Sequence, residues 1–180
     1  AGYAAVKLGY TKLGFLGGMA VPAVMRYGYG FVQGADAAAK ELGSKVSMNY
    51  AYANQFKGDA DITAAMDTWY QGGTECVFAC GGGVYTSAAE AAAKVNGKII
   101  GVDVDQSGII DGQYGKGMTV TSAMKGLAAT VNTLLTEIID LIQRLEVQAA
   151  SLVAIGTALE TVRQGIDDLV ALLEGLDITF

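Results

Sequence analysis

The sequence predicts an α/β fold built on a parallel five-stranded sheet, with a helical C-terminal tail. Over the first 122 residues, short apolar runs alternate with longer segments whose apolar residues recur every three or four positions. Glycines follow most of the apolar runs, where a strand must turn into a helix. Strands that alternate with helices pair in parallel, and right-handed crossovers then give the flavodoxin-like strand order 2-1-3-4-5.

The individual elements are marked by local signals. Pro22 lies where the first turn of a long helix would begin, and Gly43 ends that helix. Asp59 or Asp61 is expected to cap the next helix, which stops at Gly72. We predict strands at 12–17, 45–52, 76–79, 98–102 and 118–122, helices at about 23–42, before Gly72 and at 84–95, and a glycine-rich connection at 109–117.

After Ser122 the pattern changes to continuous helix without proline. We predict one helix to about Val147, a break near 148–151 and a second helix to about Glu174, with a single long helix as the alternative. The tail leucines are interpreted as core. Their heptad-like spacing leaves pairing with another chain as a second interpretation.

Composition excludes several classes of function. The net charge of −6 argues against a sequence-independent nucleic-acid binder, which needs a positive field. Histidine is absent, so the commonest metal ligand and general base are missing, and we expect no metal site and no cofactor. Cys76 and Cys80, roughly 13 Å apart along a predicted strand, are too distant for a disulfide and are interpreted as buried, with a redox pair as the alternative.

Four motifs in order and spacing carry a resemblance to a known family. They are Gly17-Gly18-Met19 with Val21-Pro22, Gly81-Gly82-Gly83 after an apolar strand, the run Gly101–Gln106, and Thr121–Lys125. Together they resemble the second lobe of the basic membrane protein family, lipoprotein receptors that feed nucleoside ABC transporters. The resemblance covers about residues 1–137. It implies one lobe of a type I periplasmic binding protein, in which two α/β lobes clamp the ligand between them.

The resemblance also implies a function and its partners. It implies non-enzymatic binding of a purine nucleoside, either inosine, guanosine or adenosine, by a protein that docks on an ABC permease. The parent protein would be an extracytoplasmic, membrane-anchored lipoprotein, whereas we expect this chain itself to be soluble. Because a clamp needs two lobes, we expect weak or absent affinity here. The first residues, Ala1-Gly2-Tyr3, indicate a processed chain or one cut from something longer.

The residue types give candidate ligand contacts, each with a structural alternative, and for Asp103 and Lys125 the resemblance also implies a contact with the ligand. A carboxylate such as Asp103 can accept two hydrogen bonds from vicinal sugar hydroxyls, and the family places such an Asp on the ribose. The alternative is a cap for the following segment. Lys125 is a candidate ligand contact or else a solvated lysine, and Asp105 is a candidate or else a turn residue. Tyr27, with Met19 beside it, is a candidate for stacking on a purine or else belongs to the helix core. Gly81, Gly82 and Gly83 are candidates for backbone contacts to the ligand, and in either case they form a tight strand-to-helix turn.

The tail departs from the family pattern. We predict two domains, an α/β solute-binding lobe at 1–137 and a helical tail at 138–180, either a helical hairpin or an element for homo-oligomerisation. The hypothesis is an engineered or chimeric chain, and the alternative function is a single-lobe scaffold without ligand binding, whose tail covers apolar surface or drives oligomerisation. An enzyme of flavodoxin-like fold lacks support, because neither a His nor a Gly-x-Ser-x-Gly elbow is present.

Overall fold

Five short strands form one parallel sheet in the order β2-β1-β3-β4-β5 in the computed structural model, which describes residues 1–174. The strand order and the α/β class are those predicted from the sequence. Register keeps the carboxyl ends level, since Gly17 pairs with both Tyr52 and Cys80. The strands are β1 Lys12–Gly17, β2 Ser47–Tyr52, β3 Cys76–Cys80, β4 Lys98–Asp103 and β5 Thr119–Met124.

Within residues 1–174, six helices accompany the strands, and their ends follow local signals. Pro22 occupies the first turn of its helix, and Gly43 ends that helix in the left-handed conformation with φ of 64°. Asp59 caps its helix by accepting a 2.8 Å hydrogen bond from the Ile62 N–H. Of the two predicted capping residues, Asp59 is therefore the one that caps the helix. The helices are α1 Gly2–Lys7, α2 Pro22–Leu42, α3 Ala60–Gln71, α4 Tyr85–Val95, α5 Ser107–Tyr114 and α6 Leu127–Glu174.

Two apolar clusters lie among the elements packed around the sheet. The first brings Ala5 and Val6 of α1 together with Phe15, Phe31 and Phe78 of β1, α2 and β3, all of them at most 2 % exposed. The second joins α3, α4 and α5 to the strands through side chains such as Met66 and Ile110. Cys76 and Cys80 are free and buried within the first cluster, which agrees with the interpretation of them as small core residues.

Two helices differ from the sequence prediction. Most of α5 lies in the segment 109–117 that was predicted as a glycine-rich connection. The helix forms because Ile110 is fully buried, while Gly108 and Gly112 face open space. The packing of Ile110, with Tyr114 beside it against the same cluster, therefore outweighs the low helix propensity of two glycines. The short helix α1 was not predicted. It packs on α2 so closely that a Cβ at Gly2 would lie 1.9 Å from the carbonyl oxygen of Phe31.

The predicted break in the tail is wrong, and so is a helical hairpin, since α6 runs uninterrupted from Leu127 to Glu174. The alternative of a single long helix is the one that the structure shows. None of its residues is buried, so the interpretation of the tail leucines as core is also corrected. By contacts the chain divides into one unit at Ala1–Lys125 and another that begins at Gly126. The predicted boundary at Glu137 stays a prediction, and residues 175–180 of the predicted tail lie outside the described part of the chain. None of the described helices is long and apolar enough to cross a membrane.

Glu75 ties the start of β3 to the start of β1. Its Oε2 accepts hydrogen bonds from the backbone N–H of Thr11 at 2.7 Å and of Lys12 at 2.9 Å. The bond from Lys12 is the main reason that the pKa of Glu75 lies below its ordinary value of 4.5. The ionised carboxylate therefore stabilises the folded lobe above that pH, and the contribution is lost as the pH falls through the lowered pKa.

Glu75→Gln should lower the free energy of unfolding by about 1 kcal/mol at neutral pH, because the side chain is exposed and water screens the lost charge. The difference from the wild type should shrink as the pH falls below 4.5. Urea titrations across this pH range measure both values. Glu90→Gln is the matched control, since Glu90 accepts one hydrogen bond from the Thr63 hydroxyl and should contribute less. A difference that does not depend on pH would contradict the assignment.

Candidate functional site

A cavity of about 180 Å³ lies at the carboxyl ends of β3 and β4, within the first unit. This is the edge at which open parallel sheets bind their ligands. Five of the eight candidate site residues line it: Tyr27, Gly81, Gly82, Asp103 and Lys125. The topology thus brings together residues that are almost a hundred positions apart in the sequence.

Asp103 occupies a strained backbone position at the end of β4. Its φ is 71°, and the Val104 N–H donates a 2.8 Å hydrogen bond to the Val102 carbonyl across it. That combination is a γ-turn with its central residue in the left-handed region, which is rare and costs roughly 1–3 kcal/mol. The turn directs the chain sharply away from the strand and leaves the Asp103 side chain 45 % exposed beside the cavity. Strain of this kind clusters at functional sites.

Lys125 is held against Asp103 by two contacts. The Lys125 N–H donates to the Asp103 carbonyl at 3.0 Å, and the ammonium Nζ lies 2.8 Å from Asp103 Oδ1. The hydrogen bond and charge of Asp103 raise the pKa of Lys125, so the lysine stays charged. The ion pair fixes one carboxylate oxygen of Asp103. The second oxygen and the remaining ammonium protons are available to hydroxyl groups of a ligand.

The loop after β4 is fixed by a buried glutamine. The Val102 N–H donates to Gln106 Oε1 at 2.9 Å, and the Gln106 N–H donates to Ser122 Oγ on β5 at 3.1 Å. Gly101 leaves the room for this arrangement, because a Cβ there would lie 2.7 Å from Ser122 Oγ and 2.8 Å from Gln106 Oε1. The turn that carries Asp103 is thus hydrogen-bonded to two strands and has little freedom to relax.

Two aromatic rings line the cavity. Tyr27 on α2 is half-buried, and its ring stands edge-on to Phe78 with centroids 6.1 Å apart. Burial is the main cause that raises the pKa of Tyr27, so its hydroxyl stays protonated. Phe56, in the loop between β2 and α3, is 42 % exposed. A partly exposed aromatic ring beside polar groups suits stacking on a flat heterocycle.

The glycine loop after β3 allows this close packing. Gly81 has φ of 146°, and a Cβ there would lie 2.8 Å from the backbone nitrogen of Gly18. Gly82 has φ of 54°, and a Cβ there would lie 2.8 Å from the Phe56 carbonyl oxygen. Both positions therefore need glycine for conformation and for space. Gly83 differs, because its N–H donates to the Phe56 carbonyl at 2.7 Å and is engaged in holding the loop.

Three candidate residues do not line the cavity. Met19 is exposed in the loop after β1, and Gly83 holds Phe56 as described above. Asp105 accepts a 3.0 Å hydrogen bond from the Ser107 N–H at the start of α5, and this bond lowers the pKa of Asp105. That geometry matches the turn role which the sequence left open as the alternative for Asp105.

Several lining residues were not predicted from the sequence. The most notable is Phe56, which lies in a segment otherwise read as a polar loop. A single aromatic residue after the second strand was the available signal. The others are small or apolar residues that were not singled out as ligand contacts, although Val21 and Val102 belong to the family motifs: Val21, Ala23, Val24, Cys80 and Val102.

The fold and the position of this cavity are those of α/β proteins in which small ligands bind at the carboxyl edge of a parallel sheet. Residues 1–146 match the family described as Bmp, ABC transporter substrate-binding protein PnrA-like. The chain belongs to this family. Its members are extracytoplasmic substrate-binding proteins, which confirms both the resemblance stated from the sequence and the prediction of a non-enzymatic class.

Two individual comparisons agree with the family. The chain is 34 % identical over 115 residues to the ABC transporter nucleoside-binding protein BmpA of Lactococcus lactis subsp. cremoris strain MG1363, covering 59 % of this chain and 32 % of that protein. Its fold is similar to the crystal structure of an ABC transporter system solute-binding protein from Aeropyrum pernix K1. That likeness has a TM-score of 0.59 and 22 % identity and covers 78 % of this chain and 39 % of the other. The chain thus spans about a third of the length of its curated relative.

Proposed function

We propose that this chain supplies one half of a purine nucleoside site in an ABC transporter substrate-binding protein. The observation that carries the proposal is the cavity in which Asp103, Lys125, Tyr27 and Phe56 meet. A carboxylate held by a neighbouring ammonium is suited to the vicinal hydroxyls of a ribose, and aromatic rings are suited to a purine. The similarity to the nucleoside-binding protein BmpA of Lactococcus lactis supports the same proposal.

The size of the cavity supports a half-site. A complete site for a drug-sized ligand has a volume of roughly 300–1,000 Å³ and buries most of the ligand. The cavity here is smaller, at about 180 Å³, and it opens beside an ion pair that is more than two-fifths exposed. A nucleoside bound to this lobe alone would keep one side in water. We therefore expect weak affinity for inosine, guanosine or adenosine.

The first test is a calorimetric titration of the chain at high concentration with each of these nucleosides. We expect saturable heat that Asp103→Ala abolishes and that the 2′-deoxy analogue reduces, since the analogue lacks one of the two hydroxyls. Asp105→Ala is the matched control, because Asp105 lies in the neighbouring turn and should leave the affinity unchanged. No heat from a chain shown to be folded by circular dichroism, or equal loss in both variants, would count against the proposal.

The finer biological setting is part of the same proposal. We propose that the parent protein is a membrane-anchored lipoprotein that delivers the nucleoside to an ABC permease. The family description and the name of the curated relative support this setting.

The second candidate is a single-lobe scaffold, chimeric or designed, that has lost ligand binding. The observation that favours it is α6, a 48-residue helix with no buried residue. A folded chain that binds none of the three nucleosides would support this candidate.

A further inference from the structure

Apolar residues follow a strict heptad repeat along the whole of α6. Positions at alternating spacings of four and three residues, from Leu127 to Leu173, are apolar with one exception, Gln148. We call this row the seam of α6. Its members are Leu127, Val131, Leu134, Ile138, Leu141, Leu145, Gln148, Leu152, Ile155, Leu159, Val162, Ile166, Leu169 and Leu173.

We propose that α6 pairs through this seam with α6 of a second copy of the chain, in parallel and in register, as a coiled coil. The inference is independent of the proposed nucleoside binding. A repeat of 3.5 residues is the pattern of helices that supercoil around one another. A second copy carries the same repeat over the same length, so each seam residue has a partner.

The period of the repeat indicates that the partner covering the seam is a helix and not a flat surface. In a straight helix a heptad row drifts by about 20° per heptad, which amounts to roughly 130° between Leu127 and Leu173. A flat sheet or a membrane surface would lose contact with such a row. Another helix that coils around α6 follows it throughout.

The surface available is large enough for a stable pair. The apolar seam side chains are all between 51 and 69 % exposed. If each loses roughly 50 Å² of apolar surface on pairing, the two copies bury about 1,300 Å² in total. That area is in the range of about 1,200–2,000 Å² typical of specific interfaces.

The charges of α6 favour a like helix over an anionic surface. Most of its acidic residues lie outside the positions that flank the seam, and they make the outer face negative: Asp140, Glu146, Glu160, Asp167, Asp168 and Glu174. A negative face disfavours anionic lipid. The flanking charges are Glu137, Arg144 and Arg163, which in a parallel pair would face Ile142, Ala149 and Ala158 of the other copy. No like charges oppose each other across the seam.

Gln148 decides the orientation of the pair. In a parallel pair in register Gln148 faces Gln148 of the other copy, and the two amides can hydrogen-bond to each other. In an antiparallel pair centred on the seam it would face Leu152 and lie buried without a partner, which is unfavourable. One polar residue in an apolar seam is a known means of fixing register.

The test is sedimentation velocity over a wide range of concentrations, with two adjacent substitutions as a matched pair. Leu152 lies in the seam and Val153 lies outside it, yet they are 69 % and 70 % exposed in the single chain. We expect the wild type to sediment as a dimer. Leu152→Glu should raise the dissociation constant of the dimer by about a hundredfold or more, whereas Val153→Glu should leave it close to the wild-type value. A monomeric wild type, or equal effects of both substitutions, would overturn the proposal.

Orientation is tested by oxidative cross-linking. Leu134→Cys places a thiol opposite its own copy in the parallel pair, whereas in the antiparallel pair the two thiols would be about 48 Å apart. We expect a covalent dimer from Leu134→Cys and none from Thr136→Cys, whose side chain lies on the outer face. A dimer that Leu134→Cys does not cross-link would overturn the parallel register. Because both substitutions lie in α6, outside the unit at Ala1–Lys125, the nucleoside titration is an independent readout of the α/β lobe.

Discussion

Phe78→Ala is expected to lower the free energy of unfolding of the α/β lobe by about 3–5 kcal/mol. Phe78 lies on the central strand β3 and is 1 % exposed. Its ring contacts those of Phe31, Phe15 and Tyr27, with centroids 5.2, 5.6 and 6.1 Å away. Removal of the ring leaves a cavity among three aromatic neighbours that strands and helices hold in place, so the site can collapse only in part.

Thermal unfolding measured by near-ultraviolet circular dichroism checks this prediction, with a fall in Tm of about 10–20 °C. Phe78→Leu keeps most of the volume and should lower the stability by less than half as much, which keeps the test informative if the alanine variant does not fold. Phe56→Ala is the matched control, since that ring is 42 % exposed and should change Tm little. Phe56→Ala should instead weaken nucleoside binding. A stable Phe78→Ala variant would mean that the first apolar cluster does not govern the fold.

Gly81→Ala is expected to destabilise the lobe by about 3 kcal/mol or more and to abolish binding. Gly81 combines φ of 146° with a virtual Cβ position 2.8 Å from the Gly18 nitrogen and 2.9 Å from the Gly18 Cα. Backbone atoms cannot rotate away as a side chain can. The Gly18 N–H donates to the Cys80 carbonyl at 2.9 Å, so a shift of this segment also weakens the link between the ends of β1 and β3.

Gly30→Ala is the control for this substitution. Gly30 lies on the exposed side of α2, and no atom outside its own helix comes within 4 Å of its virtual Cβ. Alanine there should raise the free energy of unfolding by about 0.5–1 kcal/mol, because it lowers the entropy of the unfolded chain and favours the helix. Urea titration of both variants measures the contrast. A Gly81→Ala variant as stable as Gly30→Ala would contradict the close packing at the site.

Much of the fold was predictable because strong local signals agree with the tertiary structure. Proline at the start of α2, Gly43 at its end and the apolar run of β3 fix their elements regardless of context. The helix α5 was missed because its glycines suggest a loop, whereas its stability comes from Ile110 packing on distant residues. In α6 the error was the opposite one, because a break was predicted where the helix continues. Gln148 interrupts the row of apolar residues, but it does not interrupt the helix.

The site was only partly predictable, for a physical reason. Asp103 and Lys125 stand at strand ends, and parallel strands bring such residues to one edge. Phe56 comes from a loop whose path depends on Gly18, Gly81 and Gly82 leaving room for it. Nothing in the local sequence around Phe56 encodes that space. The γ-turn at Asp103 likewise depends on Gln106 and Ser122 in two other elements.

The two buried cysteines have a practical consequence. Cys76 is inaccessible and Cys80 nearly so, and burial raises the pKa of each thiol to about 12. At neutral pH neither forms the thiolate that maleimide reagents need. A cysteine introduced on the surface would therefore take up a dye selectively in the unmodified background. With the dye beside Asp103, the lobe becomes an optical reporter of whatever enters its cavity.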